Sequence, residues 1–239
     1  MDFDGTLAPI VGRPSRAAMP GKVARILRRL ARSPGVRLVI VSGRPLAYLR
    51  RRFPGGRAAL VGLHGISSNV RGVGMNALQA RRWRARLAEA RRALRTLGLR
   101  KAGVLLEDKD LGLALHLRGV APQGRRRLEG LVRRRLRGLR MTVHRGLRVL
   151  ELRPTGWDKG RALRRLLARR APGWKKTGAC LYAGDDATDE DAFQALRGMG
   201  PMAFGLKIGP GRSRAHGRVP GPAQYWSLLE RVLRLRAAA

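Results

Sequence analysis

The first six residues, Met1-Asp2-Phe3-Asp4-Gly5-Thr6, set two carboxylates two apart, followed by a glycine and a threonine. On a strand, side chains alternate faces, so Asp2 and Asp4 point one way and Phe3 the other. Gly5 lets the backbone turn sharply beside a bound anion. This spacing suits a nucleophilic carboxylate beside a second carboxylate, gathered around a hard cation. A solvated acidic turn is the plain alternative. The remaining acids sharpen the choice. The 239-residue chain has 15 acidic residues against 52 basic ones. Seven of those acids fall in two places: Asp2 and Asp4, then Asp185, Asp186, Asp189, Glu190 and Asp191. Like charges crowded this closely need a compensating cation or a solvated loop.

Two further residues join the set. Ser42 follows an apolar run at residues 36–41, and Lys159 lies in Asp158-Lys159-Gly160 at the start of a helical pattern. Ser42 also reads as the N-cap of a helix beginning near Pro45. Lys159 alone would be an ordinary surface lysine. Together the residues fit phosphoryl transfer. One carboxylate attacks phosphorus and forms an acyl phosphate, and the second protonates the leaving oxygen and then deprotonates water. Mg²⁺ offsets the charge, while a hydroxyl and a lysine hold phosphate oxygens.

Positioning these groups calls for an α/β frame. Asp185 follows Cys180-Leu181-Tyr182-Ala183-Gly184, a buried strand by its apolar run. Both acidic groups therefore end strands, at the edge of an open α/β sheet where ligands bind. A strand presenting Asp2 needs about five or six residues, and none precedes Met1. The first core strand is therefore expected to be truncated, or the start assigned too late. Residues 7–16 read as a loop with Pro9, Gly12 and Pro14. Val23, Ile26, Leu27 and Leu30 make an amphipathic helix, and residues 60–62 a strand leading to His64-Gly65. Trp83, Leu87, Ala90, Leu94 and Leu97 stripe a long helix. Hairpins follow at residues 104–117 and 141–152, with a second helix between them. After Pro154 the βα pattern resumes, with a strand at 203–208, a mobile Gly/Pro/Arg-rich loop at 209–222 and a closing helix. The expected architecture is a Rossmann-like three-layer core, residues 1–68 and 155–239, with an α/β cap at 69–154.

Composition excludes other classes. A hydrophobic fraction of 44% supports a real core. One cysteine, Cys180, rules out an internal disulfide framework and fits a reducing, cytoplasmic setting as a small buried residue. No apolar run is long enough for a membrane span, and the N-terminus lacks signal-peptide regions. The net charge of +37 is dominated by arginine, 45 of the 52 basic residues, spread over nearly every candidate helix. With four Trp, three Tyr and four Phe to stack on bases, this reads as nonspecific attraction to polyanions, not specific nucleic-acid recognition.

The ordered motifs resemble the haloacid-dehalogenase superfamily of aspartate-nucleophile phosphatases and, more narrowly, the trehalose-6-phosphate phosphatase family. The stretches that carry the narrower likeness are Asp2-Phe3-Asp4-Gly5-Thr6-Leu7-Ala8-Pro9-Ile10, Val41-Ser42-Gly43-Arg44-Pro45, His64-Gly65, Glu151-Leu152-Arg153-Pro154, Gly156-Trp157-Asp158-Lys159-Gly160, and the run from Tyr182 through Gly184-Asp185-Asp186-Ala187-Thr188-Asp189-Glu190-Asp191 to Phe193. The resemblance spans essentially the whole chain. It implies Asp2 as nucleophile, Asp4 as acid/base, and Ser42 and Lys159 as phosphate holders. It implies Mg²⁺ on Asp2, the Asp4 carbonyl and Asp185, with Asp186 and Asp189 in support. It also implies substrate contacts from Arg44, His64, Glu107, Lys109, Arg118 and Glu151, and a trehalose 6-phosphate substrate; a monomer is expected. For the four cap residues, ordinary charge pairing is the plain alternative. The chain departs from the family where Ile66-Ser67 replaces a usual Glu after His-Gly, and where Leu147 and Arg148 follow Gly146. These changes touch sugar recognition more than chemistry. The rival expectations are another sugar phosphatase of the superfamily, acting on sucrose phosphate or a glycosyl-glycerate phosphate, and a catalytically impaired basic binding protein.

Overall fold

A computed structural model describes residues 1–11, 16–53, 57–146 and 148–238. The sequence readings at residues 12–15 and at Leu147 lie outside them. The elements run α1 (Gly21–Leu30), β1 (Val39–Val41), α2 (Leu46–Arg52), β2 (Ala59–Gly62), β3 (Ser67–Ser68), α3 (Ala77–Arg95), β4 (Leu105–Asp108), β5 (Leu113–His116), α4 (Pro122–Arg135), β6 (Met141–Gly146), β7 (Val149–Pro154), α5 (Lys159–Arg170), α6 (Trp174–Thr177), β8 (Cys180–Gly184), α7 (Glu190–Arg197), β9 (Ala203–Ile208), β10 (Gly217–Val219) and α8 (Pro222–Ala238). They divide into two compact units, Met1–Gly74 with Asp158–Ala239, and Met75–Trp157.

In the first unit, β1 and β2 are parallel with β3 antiparallel at one edge, and β8, β9 and β10 are parallel. The opening residues join the two ladders. Asp2 N–H donates to the Ala183 carbonyl at 2.8 Å, and Val41 N–H donates to the Met1 carbonyl at 3.0 Å. Met1–Asp2 thus sits between β1 and β8 in the sheet order β3-β2-β1-(Met1–Asp2)-β8-β9-β10, and this is how Asp2 reaches the C-terminal edge of the sheet. Period-two alternation then sorts side chains to two apolar layers. Ile40 and Ala183 face the cluster with Phe3 of the opening segment, Leu27 of α1, and Tyr225 and Leu229 of α8, while Val41 and Tyr182 face the cluster with Leu163, Phe193 and Leu196 from α5 and α7.

Two local expectations are corrected, and one short strand goes beyond the sequence reading. The segment read as a mobile loop at 209–222 contains β10, which pairs in parallel with β9 through Gly217–Leu206 to Val219–Ile208. Its glycines and prolines mask a short edge strand with only Val219 as a strong strand former. Ser42 is not the cap of α2, whose N-cap is Pro45; the Ser42 hydroxyl instead accepts from Arg44 N–H at 3.2 Å. Ser67 and Ser68 form an edge strand on β2, which their polarity had hidden.

The second unit is an antiparallel sheet in the order β4-β5-β7-β6 with helices α3 and α4. A reciprocal capping box starts α3: the Asn76 side chain accepts from Gln79 N–H at 2.9 Å, and the Gln79 side chain accepts from Asn76 N–H at 3.0 Å. Trp83 is buried and donates its indole N–H to the Leu111 carbonyl at 3.0 Å, tying α3 to the β4–β5 turn. No helix among the described residues is long and apolar enough to cross a membrane.

Candidate active site

The site in the first unit is built where three segments meet: the turn after Asp2, the start of α5 and the loop between β8 and α7. Asp158 caps α5, its carboxylate accepting from Arg161 N–H at 2.7 Å, which places Lys159 in the first turn pointing inward. Gly160 has a packing role. A Cβ there would land on the Asp191 carbonyl, so glycine lets α5 close on α7 and delivers Lys159 to the acids. Lys159 is 1% exposed. Its Nζ lies 2.8 Å from Asp189 Oδ1, 3.0 Å from Asp2 Oδ1 and 3.8 Å from Asp186 Oδ1.

Asp189 is held on all sides. Its Oδ1 accepts from Lys159 and, at 2.6 Å, from the Tyr182 hydroxyl, and its Oδ2 accepts from Asp186 N–H at 3.0 Å. Gly184 is required beside it, because a Cβ there would strike the Asp189 carboxylate. Asp186 makes a tight turn, its Oδ1 accepting from Thr188 N–H at 2.8 Å and from the Thr188 hydroxyl at 2.7 Å. Asp185 accepts from the Thr6 hydroxyl at 3.3 Å, and the buried Lys207 ammonium donates to its backbone carbonyl. Gly5, at φ +75°, leaves the space the Asp185 carboxylate occupies.

The electrostatics of this arrangement are unbalanced. Burial raises the Asp2 carboxyl well above the usual range against the pull of Lys159, and burial likewise raises Asp189. Burial, with Asp189 and Asp186 close by, pushes Asp185 up to about 7. Asp186 goes the other way: burial opposes its charge, but Lys159 and the Thr188 donors hold it below the usual range. Lys159 stays charged, burial being outweighed by Asp189 and Asp2. Four carboxyl groups thus crowd around one buried ammonium, Lys159, and a divalent cation would offset the charge they develop on ionising. Carboxylate oxygens of Asp2, Asp185 and Asp189 lie within 4.8 Å of one another, a group that could hold a metal ion. The donors already on Asp189 make it an anchor for Lys159. Asp2 and Asp185 are the members of that group with oxygens to give.

Asp4, in the same turn, does not point into this cluster. Arg44 grips it in a two-pronged pair, Nε to Oδ2 at 2.7 Å and Nη2 to Oδ1 at 2.6 Å. The Arg44 guanidinium in turn lies 4.7 Å from the Tyr48 ring centroid. Ser42 and His64 are both buried; His64 N–H donates to the Ser42 carbonyl at 2.9 Å, and the His64 ring fills the space a Gly43 side chain would need.

In the second unit, the register pairs Glu107 with Ala114 and Ala114 with Glu151, so all three share a face of the sheet. Lys109 Nζ sits 3.6 Å from Glu107 and 3.7 Å from Glu151. Arg118 is exposed just past β5. The structure therefore brings Asp2, Lys159, Asp185, Asp186 and Asp189 together in one unit and Glu107, Lys109 and Glu151 in the other. It ties Arg44 to Asp4. The sequence reading gave no place to Thr6, Tyr182 or Lys207. Lys207 had a signal, a lone lysine inside the apolar run of β9. Tyr182 and Thr6 stood within the quoted motif stretches, with no role assigned to either.

A sequence model of the trehalose-phosphatase family matches residues 1–223. The chain is 39% identical over 246 residues to an uncharacterised glycosyl hydrolase of Mycobacterium tuberculosis, covering 97% of this chain and 18% of that protein. It is 31% identical over 237 residues to the trehalose-6-phosphate phosphatase of Escherichia coli, covering 97% of this chain and 84% of that one. The fold is that of the C-terminal domain of Candida albicans trehalose-6-phosphate phosphatase, with a TM-score of 0.81 at 24% identity, covering 98% of this chain and 91% of that one. The family match over nearly the whole length agrees with the convergent acids and lysine, and this chain belongs to the trehalose-phosphatase family.

Proposed function

We infer that the chain is a Mg²⁺-dependent phosphomonoesterase that releases phosphate from trehalose 6-phosphate. The observation that carries this reading is the buried Asp2 carboxylate, 3.0 Å from the Lys159 ammonium and grouped with Asp185 at the sheet edge. Asp2 attacks phosphorus, the sugar oxygen leaves, and an aspartyl-phosphate forms on Asp2. Asp4, released from Arg44, gives the leaving oxygen its proton, then takes one from the water that cleaves the acyl phosphate. Lys159 and Ser42 hold the phosphate oxygens as charge shifts. Asp2, the Asp4 carbonyl and Asp185 would hold Mg²⁺, with Asp186 supporting; when bound, the ion offsets the charge between nucleophile and phosphate. Residues 69–154 act as the cap, in which Glu107, Lys109, Arg118 and Glu151 recognise the sugar, while Arg44 and His64 complete the substrate contacts. The chain works as a cytoplasmic monomer.

The test is phosphate release from a panel of sugar phosphates with Mg²⁺ or EDTA. Trehalose 6-phosphate is expected to be preferred, with EDTA and Asp2→Asn each lowering turnover by about a thousandfold or more. Undiminished activity in Asp2→Asn defeats the mechanism. Preference for sucrose phosphate or a glycosyl-glycerate phosphate defeats the substrate.

A further inference from the structure

On one face of the second unit's sheet, opposite charges follow one another in a chain of five residues. His116 Nε2 lies 2.7 Å from Glu107 Oε2. Lys109 Nζ lies 3.6 Å from that same oxygen and 3.7 Å from Glu151 Oε1. Arg153 pairs with Glu151 Oε2. The register accounts for the meeting. Glu107, Ala114 and Glu151 stand side by side on β4, β5 and β7, and His116 and Arg153 lie two residues along their strands on the same face.

The two oxygens of Glu107 differ. Both His116 and Lys109 address Oε2. An ionised carboxylate only accepts, so the ring N–H at Nε2 donates to it. Among the described residues Oε1 accepts no hydrogen bond, and the side chain is 45% exposed. A carboxylate pinned through one oxygen presents the other in a set direction. Such an acceptor suits a hydroxyl donor and repels a phosphate.

We propose that His116 is a positioning residue for sugar recognition: its ring holds Glu107 so that Oε1 accepts a hydrogen bond from a hydroxyl of the carbohydrate. This rests on the reading that Glu107 meets the sugar. Without His116 the carboxylate keeps only the longer contact with Lys109, loses its fixed direction, and must be ordered when the ligand binds.

The experiment compares wild type, His116→Ala, His116→Gln and Glu107→Gln in the full chain with Mg²⁺. The readout is the ratio of kcat/KM for trehalose 6-phosphate to kcat/KM for p-nitrophenyl phosphate, which has no sugar. His116→Ala is expected to lower this ratio about three- to fivefold, carried by KM, as for a half-exposed charged pair. His116→Gln, whose amide N–H can replace Nε2–H, is expected to stay within about twofold of wild type. A ratio unmoved by His116→Ala, or lowered equally by Gln and Ala, overturns the positioning role. If Glu107→Gln lowers the ratio and His116→Ala does not, the sugar reading of Glu107 stands and this inference alone fails. If neither moves it, the sugar reading fails first. Calorimetric affinity for trehalose itself, which needs no turnover, must follow the same order. Equal affinity in wild type and His116→Ala, or no saturable binding in wild type, also overturns the proposal.

Discussion

Replacing Asp185 with asparagine puts the charge balance of the site to a direct test. Burial, with Asp189 and Asp186 alongside, raises the Asp185 carboxyl from its ordinary 3.8 to about 7. The folded value lies above the unfolded one, so the folded protein holds more protons in between. Stability contributed by this group is therefore complete below about 4 and is lost as pH rises toward about 7. Full ionisation at pH 8, with no cation bound, costs the fold at most about 4 kcal/mol, at about 1.4 kcal/mol per factor of ten. Partial access of solvent reduces this to roughly 2–4 kcal/mol. Asparagine keeps the shape and drops the charge. In EDTA at pH 8, urea unfolding is expected to show Asp185→Asn more stable than the parent by about 2–4 kcal/mol, with the gap narrowing by more than half toward pH 5. Added Mg²⁺ is expected to stabilise the parent and not the variant, and phosphatase activity is lost with the charge. Equal urea midpoints at pH 8, or the same Mg²⁺ gain in both proteins, would refute the reasoning.

Two further substitutions probe the same cluster. Lys159→Met removes a 1% exposed ammonium that lies 2.8 Å from Asp189 and 3.0 Å from Asp2. It is expected to cost about 3–5 kcal/mol near pH 7.5. The loss shrinks on acidification, because the orphaned carboxylates have folded values above their unfolded ones and regain stability by taking up protons. Thermal melts followed by circular dichroism check this, and a melting temperature equal to the parent's at pH 7.5 contradicts it. Gly5→Ala meets a backbone at φ +75° and drives a methyl onto the Asp185 carboxylate. About 1–2 kcal/mol of stability is expected to go, together with about tenfold or more in Mg²⁺ affinity by calorimetric titration. An alanine variant that binds Mg²⁺ like the parent removes Asp185 from the metal site.

Much of the site was legible because its residue types are improbable here. In a chain of 52 basic and 15 acidic residues, acids gathered in two places invite explanation, and each group follows an apolar strand pattern or opens the chain. The glycines at positions 5, 160 and 184 were visible as letters, yet their reasons were not. Each makes room for an acid or carbonyl that lies far away in sequence or across a turn: Asp185, Asp191 and Asp189. The strand at Gly217–Val219 stayed hidden because its composition is that of a loop and its pairing to β9 is a tertiary fact.

Residue order alone determined the chemistry on offer: carboxylates two apart before a glycine, a lysine at a helix start, and an acidic turn closing a buried strand. Those are local patterns, set by period and turn preference within a few residues. The fold decided which of the acids do what. Asp189 is saturated by Lys159, Tyr182 and a backbone N–H; Asp2 and Asp185 belong to a group that could hold a metal ion; Asp4 is turned aside onto Arg44. Such assignments depend on distances of about 3 Å between residues up to some 180 positions apart, where charge, burial and competing donors act through space and leave no trace in the spacing of letters.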